Sequence, residues 1–148
     1  MMNWKYITQF DKLEPIDLYN FLKLRQDIFI IEQNCIYDDI DSIDQECEHL
    51  MLYENDILVA YSRIVPEKGK FDCTSIGRIV VNRHYRGKGV GRQMIKKVIQ
   101  IIQERGEKLI KIEAQEYLQN FYESLDFIKI SDPYDVDGIK HIAMKLNL

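Results

Sequence analysis

The chain has 148 residues and a formal net charge of −4, with 46% hydrophobic and 30% charged residues. This balance is typical of a single globular domain, placed at residues 1–148, which is long enough to form its own hydrophobic core. The acidic net charge argues against broad binding to nucleic acid or to an anionic membrane. The three cysteines lie far apart without C-x-x-C spacing, so we expect neither a disulfide framework nor a metal site.

The amino-terminal residues lack the basic and then apolar pattern of a signal peptide, and no apolar run approaches membrane-spanning length. We therefore expect a cytoplasmic protein with no membrane partner.

The first half of the chain is predicted to contain a strand, a helix, an acid-rich loop and two more strands. Alternating residues over 4–10 predict the strand, and Pro15 suits the first turn of a helix that extends to about Arg25 or beyond. Six acidic residues between 34 and 48 indicate a loop, which is either simply solvated or attractive to a cationic substrate. Strands follow at 49–53 and 57–65, joined by a hairpin turn.

The second half begins with a strand over 76–81, a glycine-rich turn and a helix whose apolar residues line one side. Arg105 and Gly106 are a typical helix end. The remaining pattern predicts a strand at 109–114, a short helix at 117–125, and strands at 127–130 and 141–146. The order is β–α–β–β–β–α–β–α–β–β, which favours an α/β sandwich with a mixed sheet.

The turn at residues 86–91, called the glycine turn below, is the most informative segment. A turn between a strand and a helix directs backbone N–H groups and a positive helix end toward a phosphate. The spacing excludes a dinucleotide G-x-G-x-x-G motif and a Walker loop, because Gly91 is followed by Arg92 and Gln93. What remains is R-x-x-G-x-G in an acidic chain, with six basic residues gathered within fifteen positions: Arg83, Arg86, Lys88, Arg92, Lys96 and Lys97.

The R-x-x-G-x-G pattern resembles the pyrophosphate-binding motif of the GNAT acetyltransferases, which hold acetyl-coenzyme A. Other segments resemble the ElaA-type branch of that family more narrowly, and together they extend from about Leu18 to Met144. These segments are Leu24-Arg25 with Phe29, residues 32–35, the acids Asp39, Asp41 and Asp44, His49-Leu50, residues 77–81, residues 117–125, and Tyr134 with residues 137–142.

The resemblance implies an α/β, GNAT-like (acyl-CoA N-acyltransferase) fold. Its mixed, mostly antiparallel sheet would have six to seven strands, flanking helices and a central V-shaped splay. It also implies an acetyl-CoA-dependent N-acetyltransferase, which moves an acetyl group to a primary amine of a small molecule or peptide by direct attack on the thioester. The alternative function is an acyl-CoA-binding sensor or interaction module without turnover. Both a monomer and a homodimer are compatible with the sequence.

By the same resemblance, the glycine turn would bind the pyrophosphate, and the strand before it would pair with the pantetheine arm. One N–H group of that strand could polarise the acetyl carbonyl, a contribution of roughly 3 kcal/mol. The residues expected to bind the cofactor are Ile79, Val80, Val81, Arg86, Gly87, Lys88, Gly89, Val90, Gly91, Arg92, Gln115 and Asn120.

For catalysis, the resemblance implies that Tyr122 is the general acid that protonates the departing thiolate; alternatively, its ring is only a core aromatic. The base is open, since water could also relay the proton, and each candidate side chain has a structural alternative. The candidates are Glu32, His49, Glu113 and His141, and of these we predict Glu113 and His141 to be catalytic residues.

Arg25 either contacts an acidic substrate group or pairs with an acid of the following loop, and we favour the pairing.

Three positions depart from the family pattern: Gln115 replaces a common Asn, Asp126 replaces Gly, and Lys140 replaces Pro. Because Asp tolerates a left-handed backbone better than most residues, we expect the turn at Asp126 to be retained.

Overall fold

A computed structural model describes residues 1–148. The sheet is formed by eight strands: β1 (Met2–Ile7), β2 (Glu48–Glu54), β3 (Ile57–Val65), β4 (Ser75–Val81), β5 (Leu109–Gln115), β6 (Ile128–Lys129), β7 (Tyr134–Val136) and β8 (Ile139–Asn147). The helices are α1 (Pro15–Arg25), which continues as a π-helical segment (Gln26–Glu32), α2 (Val90–Glu104) and α3 (Gln119–Glu123). No helix is both long enough and apolar enough to cross a membrane.

The strands lie in the order β1-β2-β3-β4-β5-β8-β6, and β7 pairs with β8. Every pair is antiparallel except β4 with β5, which are parallel and are joined at a single register position, Ser75 opposite Lys111. No other residue of β4 pairs with β5, so the two strands separate beyond that position. The mixed, mostly antiparallel sheet with a central splay is therefore confirmed.

Hydrophobic residues form one cluster on each face of the sheet. The larger cluster includes the apolar stripe of α2, with Met94, Ile95 and Val98 fully buried. The smaller cluster packs α1 against the sheet, where Phe21 contacts Tyr61 of β3. The two helices therefore hold β3 and β4 from both sides and fix the strands that border the splay.

The structure differs from the predicted elements mainly where elements are short. The first strand ends at Ile7, because Phe10 begins a 3₁₀ turn. The predicted helix at 117–125 is a 3₁₀ turn followed by the five-residue α3.

The eighth strand, β7, was not predicted. It forms a hairpin with β8 through Asp137 and Gly138, which have φ values of 51° and 83°. Positive φ at both central residues matches the Asp-Gly hairpin turn, so the dipeptide was the signal that could have revealed it. The turn at Asp126, with φ of 72°, is retained as expected.

Candidate active site

The glycine turn joins β4 to α2 and depends on two left-handed backbone positions. Gly87 and Gly89 both have φ of 76°, and no atom lies within 4 Å of the position that a Cβ would take at either residue. Backbone conformation, rather than crowding, is therefore what requires glycine in this structure. Gly89 is the N-cap of α2 and offers no side chain to cap the helix.

The backbone N–H groups from Gly87 to Arg92 have no acceptor within the protein. The first N–H of this region with a partner is that of Gln93, which donates to the Gly89 carbonyl at 3.0 Å. Six successive donors at the positive end of α2 thus have no protein partner. Unpartnered N–H groups at a helix N-terminus form an anion-binding site.

Basic side chains surround these donors, but their partners differ. Arg86 makes two hydrogen bonds to the Glu32 carboxylate, at 3.0 and 2.6 Å. Arg92 donates to the Ser124 hydroxyl at 2.8 Å. Lys88 has no carboxylate partner, and its ammonium lies 5.5 Å from the ring centroid of Tyr85. Lys88 and Arg92 are therefore the basic side chains here whose charges no protein acid compensates.

A cleft of about 930 Å³ extends from the glycine turn along the splay between β4 and β5. Nine of the predicted cofactor-binding and catalytic residues line it: Ile79, Val80, Val81, Arg86, Gly91, Glu113, Gln115, Tyr122 and His141. Among the other predicted cofactor residues, Gly87, Lys88, Gly89, Val90 and Arg92 belong to the turn and the start of α2. Asn120 is exposed on α3 and does not line the cleft. Gln115 donates to the Gln33 side chain at 3.2 Å.

The cleft wall formed by β4 contains a bulge. Val80 pairs with Tyr61 and Gly77 pairs with Arg63, so two residues of β4 lie opposite one residue of β3. Within the bulge, Arg78 has φ of 49°. A bulge interrupts the ladder and reorients backbone groups, and this one lies beside the residues expected to bind the acyl arm.

Tyr122 lines the cleft from α3. Its side chain is 6% exposed, and its hydroxyl makes no hydrogen bond within the protein. Burial, with a smaller contribution from Tyr117, raises the pKa of Tyr122 above its ordinary value. The phenol therefore stays protonated at neutral pH, as a proton donor must.

Glu113 and His141 lie on one face of neighbouring strands. Gln115 pairs with His141 and Glu113 pairs with Ala143, so Glu113 and His141 are diagonal neighbours, with Cβ atoms roughly 7 Å apart. The Nδ1 atom of His141 lies 2.8 Å from the Ile139 carbonyl. A carbonyl only accepts, so Nδ1 holds the hydrogen and the Nε2 lone pair is free to take a proton.

Glu113 is held by two neighbours. The Tyr134 hydroxyl donates to its Oε2 at 2.7 Å, and Lys70 forms an ion pair with the same oxygen. Lys70 was not singled out from the sequence, because nothing in its loop marks a partner 43 positions away. Tyr134 belonged to the family resemblance but had no assigned role.

Two candidate bases have other partners. His49 is fully buried between Phe10 and Phe21, does not line the cleft, and accepts from the Tyr61 hydroxyl at 2.7 Å. Its Nε2 donates to the Asp44 carbonyl at 2.9 Å, so neither ring nitrogen is available to a substrate. Glu32 lines the cleft but is engaged by Arg86.

The acid-rich loop contributes to a buried Arg–Asp cluster, formed by Arg25, Arg63, Arg78, Asp39, Asp41 and Asp44. Arg25 is fully buried and binds Asp39 and Asp44, both at 2.9 Å, so the predicted pairing is confirmed. Asp39 and Asp44 are only 4% and 6% exposed, so the expectation of a simply solvated loop is wrong for these two residues. The reason is that their partners come from α1, β3 and β4, far away in the sequence.

The arginines of the cluster stabilise the charged form of Asp41. Burial alone would raise the pKa of Asp41, but hydrogen bonds from Arg63 and the charges of Arg63 and Arg78 lower it to about 2. Arg63, Arg78 and Asp41 also line the far end of the cleft. The cluster therefore fixes the loop that forms this end of the cleft.

The comparisons with known proteins agree with this geometry. The family model described as an acetyltransferase (GNAT) domain matches residues 26–148. The ElaA protein of Escherichia coli is 37% identical over 147 residues, which cover 97% of this chain and 95% of that protein. A UPF0039 protein of Schizosaccharomyces pombe is 38% identical over the full length of both chains.

Solved structures give the same result. The crystal structure of E. coli ElaA superposes with a TM-score of 0.89 over 98% of this chain and 99% of that one, at 36% identity. An acyl-CoA N-acyltransferase from Pseudomonas aeruginosa superposes with a TM-score of 0.91 over 98% and 99% of the two chains, at 29% identity. The chain belongs to the GNAT acetyltransferase family, and the protein is an acyltransferase. Within that family, it belongs to the ElaA-type branch.

Proposed function

We propose that this acyltransferase uses acetyl-CoA as its donor and moves the acetyl group to a primary amine by direct attack on the thioester. The observation that carries the proposal is the row of six backbone N–H groups without protein acceptors, from Gly87 to Arg92, at one end of a cleft that contains Tyr122. An amide row of this length at a helix N-terminus fits a diphosphate, because each unpartnered N–H can donate to a phosphate oxygen.

The gap between β4 and β5 fits the extended arm of acetyl-CoA. From Ile76 onward the β5-facing edge of β4 has no ladder partner, so its backbone groups are free to bind an extended amide-containing arm. The P. aeruginosa acyl-CoA N-acyltransferase has the same fold over nearly the whole chain, which supports a thioester donor. An N–H group of residues 79–81 would polarise the reacting carbonyl.

The chemistry then needs one proton acceptor and one proton donor. The amine nitrogen attacks the carbonyl carbon, and the C–S bond breaks. Before the attack, His141 or Glu113 accepts one proton from the substrate ammonium, directly or through water. As the C–S bond breaks, Tyr122 donates its proton to the departing thiolate, and the second nitrogen proton returns to the Tyr122 oxygen. The free Nε2 lone pair of His141 and the unpartnered hydroxyl of Tyr122 support these two roles.

Isothermal titration with acetyl-CoA tests donor binding, and thiol release in the presence of primary amines tests turnover. We expect saturable binding and amine-dependent release of CoA. No binding at high micromolar acetyl-CoA would contradict the proposal. Binding without thiol release, across monoamines, diamines and lysine peptides, would instead favour a cofactor-binding module.

A further inference from the structure

Lys70 is placed as an amine substrate would be. Its ammonium pairs with the Glu113 carboxylate and lies 5.3 Å from the ring centroid of Tyr134. Both Lys70 and Glu113 line the cleft. A carboxylate beside an aromatic face is a chemically suitable site for an alkylammonium group.

The two halves of this contact differ in how firmly they are held. Glu113 lies in the middle of β5, and the Tyr134 hydroxyl donates to its carboxylate at 2.7 Å from β7. Lys70 lies in the loop between β3 and β4, and its side chain is 53% exposed, compared with 23% for Glu113. The carboxylate and ring are thus held by the sheet, whereas the lysine is the more exposed partner and comes from a loop.

The position of this receptor also suits the reaction. His141 is the diagonal neighbour of Glu113 on the same sheet face, and Tyr134 pairs directly with His141 across β7 and β8. An ammonium group held by Glu113 would therefore lie on the same sheet face as the imidazole of His141. Lys70 itself has a pKa lowered by burial, as expected for an ammonium group that is partly removed from water at this point.

We propose that Glu113 and Tyr134 form the acceptor subsite for an unbranched alkylammonium group of the lysine side-chain type, and that Lys70 occupies this subsite when no acceptor is bound. This inference rests on the proposed function and specifies its substrate class. Lys70 acts as an internal competitor, so the acceptor binds with an apparent affinity reduced by the fraction of protein in which the subsite is filled.

The probe is n-butylamine, the lysine side chain as a free amine, with saturating acetyl-CoA. In Lys70→Met the KM for n-butylamine should fall about fivefold, because the competitor is gone, whereas kcat should stay unchanged. Lys70→Arg keeps a cation in the loop and is the matched control, so its KM should remain near that of the wild type. Tyr134→Leu, which removes the ring, should raise the KM several-fold.

A second measurement does not depend on turnover. The Lys70 Cε resonance of the wild-type protein is followed by NMR during titration with n-butylamine, without acetyl-CoA. Displacement of Lys70 from Glu113 should shift this resonance saturably, and Glu113→Gln should weaken the response.

The two readouts separate the possible failures. If no amine is acetylated but n-butylamine displaces Lys70, the proposed function fails and the alkylammonium site stands. If n-butylamine is acetylated, but Lys70→Met has the wild-type KM and the Lys70 resonance does not move, the inference is overturned and the ion pair is only structural.

Discussion

The glycine turn and the Arg–Asp cluster are both rich in polar groups, and both border the same cleft, but they differ in how those groups are partnered. In the cluster, each of the six charged side chains has an opposite charge within 3.2 Å. In the turn, six successive N–H groups have no protein acceptor. Partnering, rather than the density of charge, therefore distinguishes the two regions.

The physical reason is the cost of leaving polar groups without partners. A buried charge is tolerated only when it is paired and hydrogen-bonded, so the cluster satisfies its charges internally. The turn is exposed from Gly87 to Gly89, so water can satisfy its donors until an anion replaces the water.

Removing one charge from the cluster should strongly destabilise the protein. Arg25→Met removes a buried partner from both Asp39 and Asp44, which keep only Arg78 and Arg63 respectively, and this should lower the free energy of unfolding by about 3–5 kcal/mol. Urea denaturation monitored by circular dichroism measures this change. Arg83→Met is the control, since Arg83 is exposed and makes no ion pair, and it should leave the stability essentially unchanged. An Arg25→Met protein as stable as wild type would show that the cluster does not stabilise the fold.

The same contrast applies to two tyrosines. The Tyr61 hydroxyl donates to His49 at 2.7 Å, whereas that of Tyr122 has no protein partner. Tyr122→Phe should therefore lower kcat about 100-fold without loss of stability or of acetyl-CoA affinity. Tyr61→Phe should do the reverse, costing about 1 kcal/mol of stability and leaving kcat unchanged. Steady-state kinetics and urea denaturation on both variants measure the two effects, and unchanged turnover in Tyr122→Phe would remove its role as the acid.

Two glycines test whether the turn binds the cofactor. Gly89 and Gly106 have φ values of 76° and 85°, at opposite ends of α2, with no atom close to either Cβ position. Alanine should cost roughly 1 kcal/mol of stability at each. Only Gly89→Ala should also reduce the affinity for acetyl-CoA, by about tenfold, because it shifts N–H donors away from the diphosphate. Isothermal titration measures the affinity for acetyl-CoA, and an equal affinity in the two variants would contradict pyrophosphate binding at the turn.

Local spacing made much of the fold and of the donor end of the site predictable. The strand, the glycine turn and α2 form one continuous segment, so the glycines and the apolar stripe were enough to place them. Pro15 at the start of α1 and the hairpin between β2 and β3 were predicted for the same reason. The strand β7 was not predicted, because three residues are too few to show alternation.

The contacts of Glu113 and of the Arg–Asp cluster could not be predicted, because they join residues distant in the chain. Lys70 meets Glu113 across 43 positions, and Arg78 reaches Asp39 across 39. The sequence places an aspartate in a loop but does not show whether an arginine from another strand covers it. Which acids are buried, and which of them face the cleft, is decided only by how β3, β4 and β5 assemble.

The stability of the buried region around His49 should depend on pH. Burial, partly offset by the hydrogen bond to the Asp44 carbonyl, lowers the pKa of His49 below its ordinary value of 6.5. The folded protein thus favours neutral His49, so this stabilisation is fully present above pH 6.5 and is lost as the pH falls toward the folded-state pKa. The free energy of unfolding should decrease by up to about 1 kcal/mol between pH 6.5 and 5.5, since one proton per pH unit corresponds to about 1.4 kcal/mol.

His49→Gln retains a donor and an acceptor but does not titrate, so its stability should be flatter over this interval. Urea denaturation of both proteins at pH 7.5, 6.5 and 5.5 measures the difference. Asp41, whose pKa is lowered to about 2, loses its contribution only at much lower pH, because the stabilisation from a depressed carboxylate persists until the pH falls below its unfolded value. Parallel curves for the wild type and His49→Gln would mean that His49 is not held neutral by its buried position.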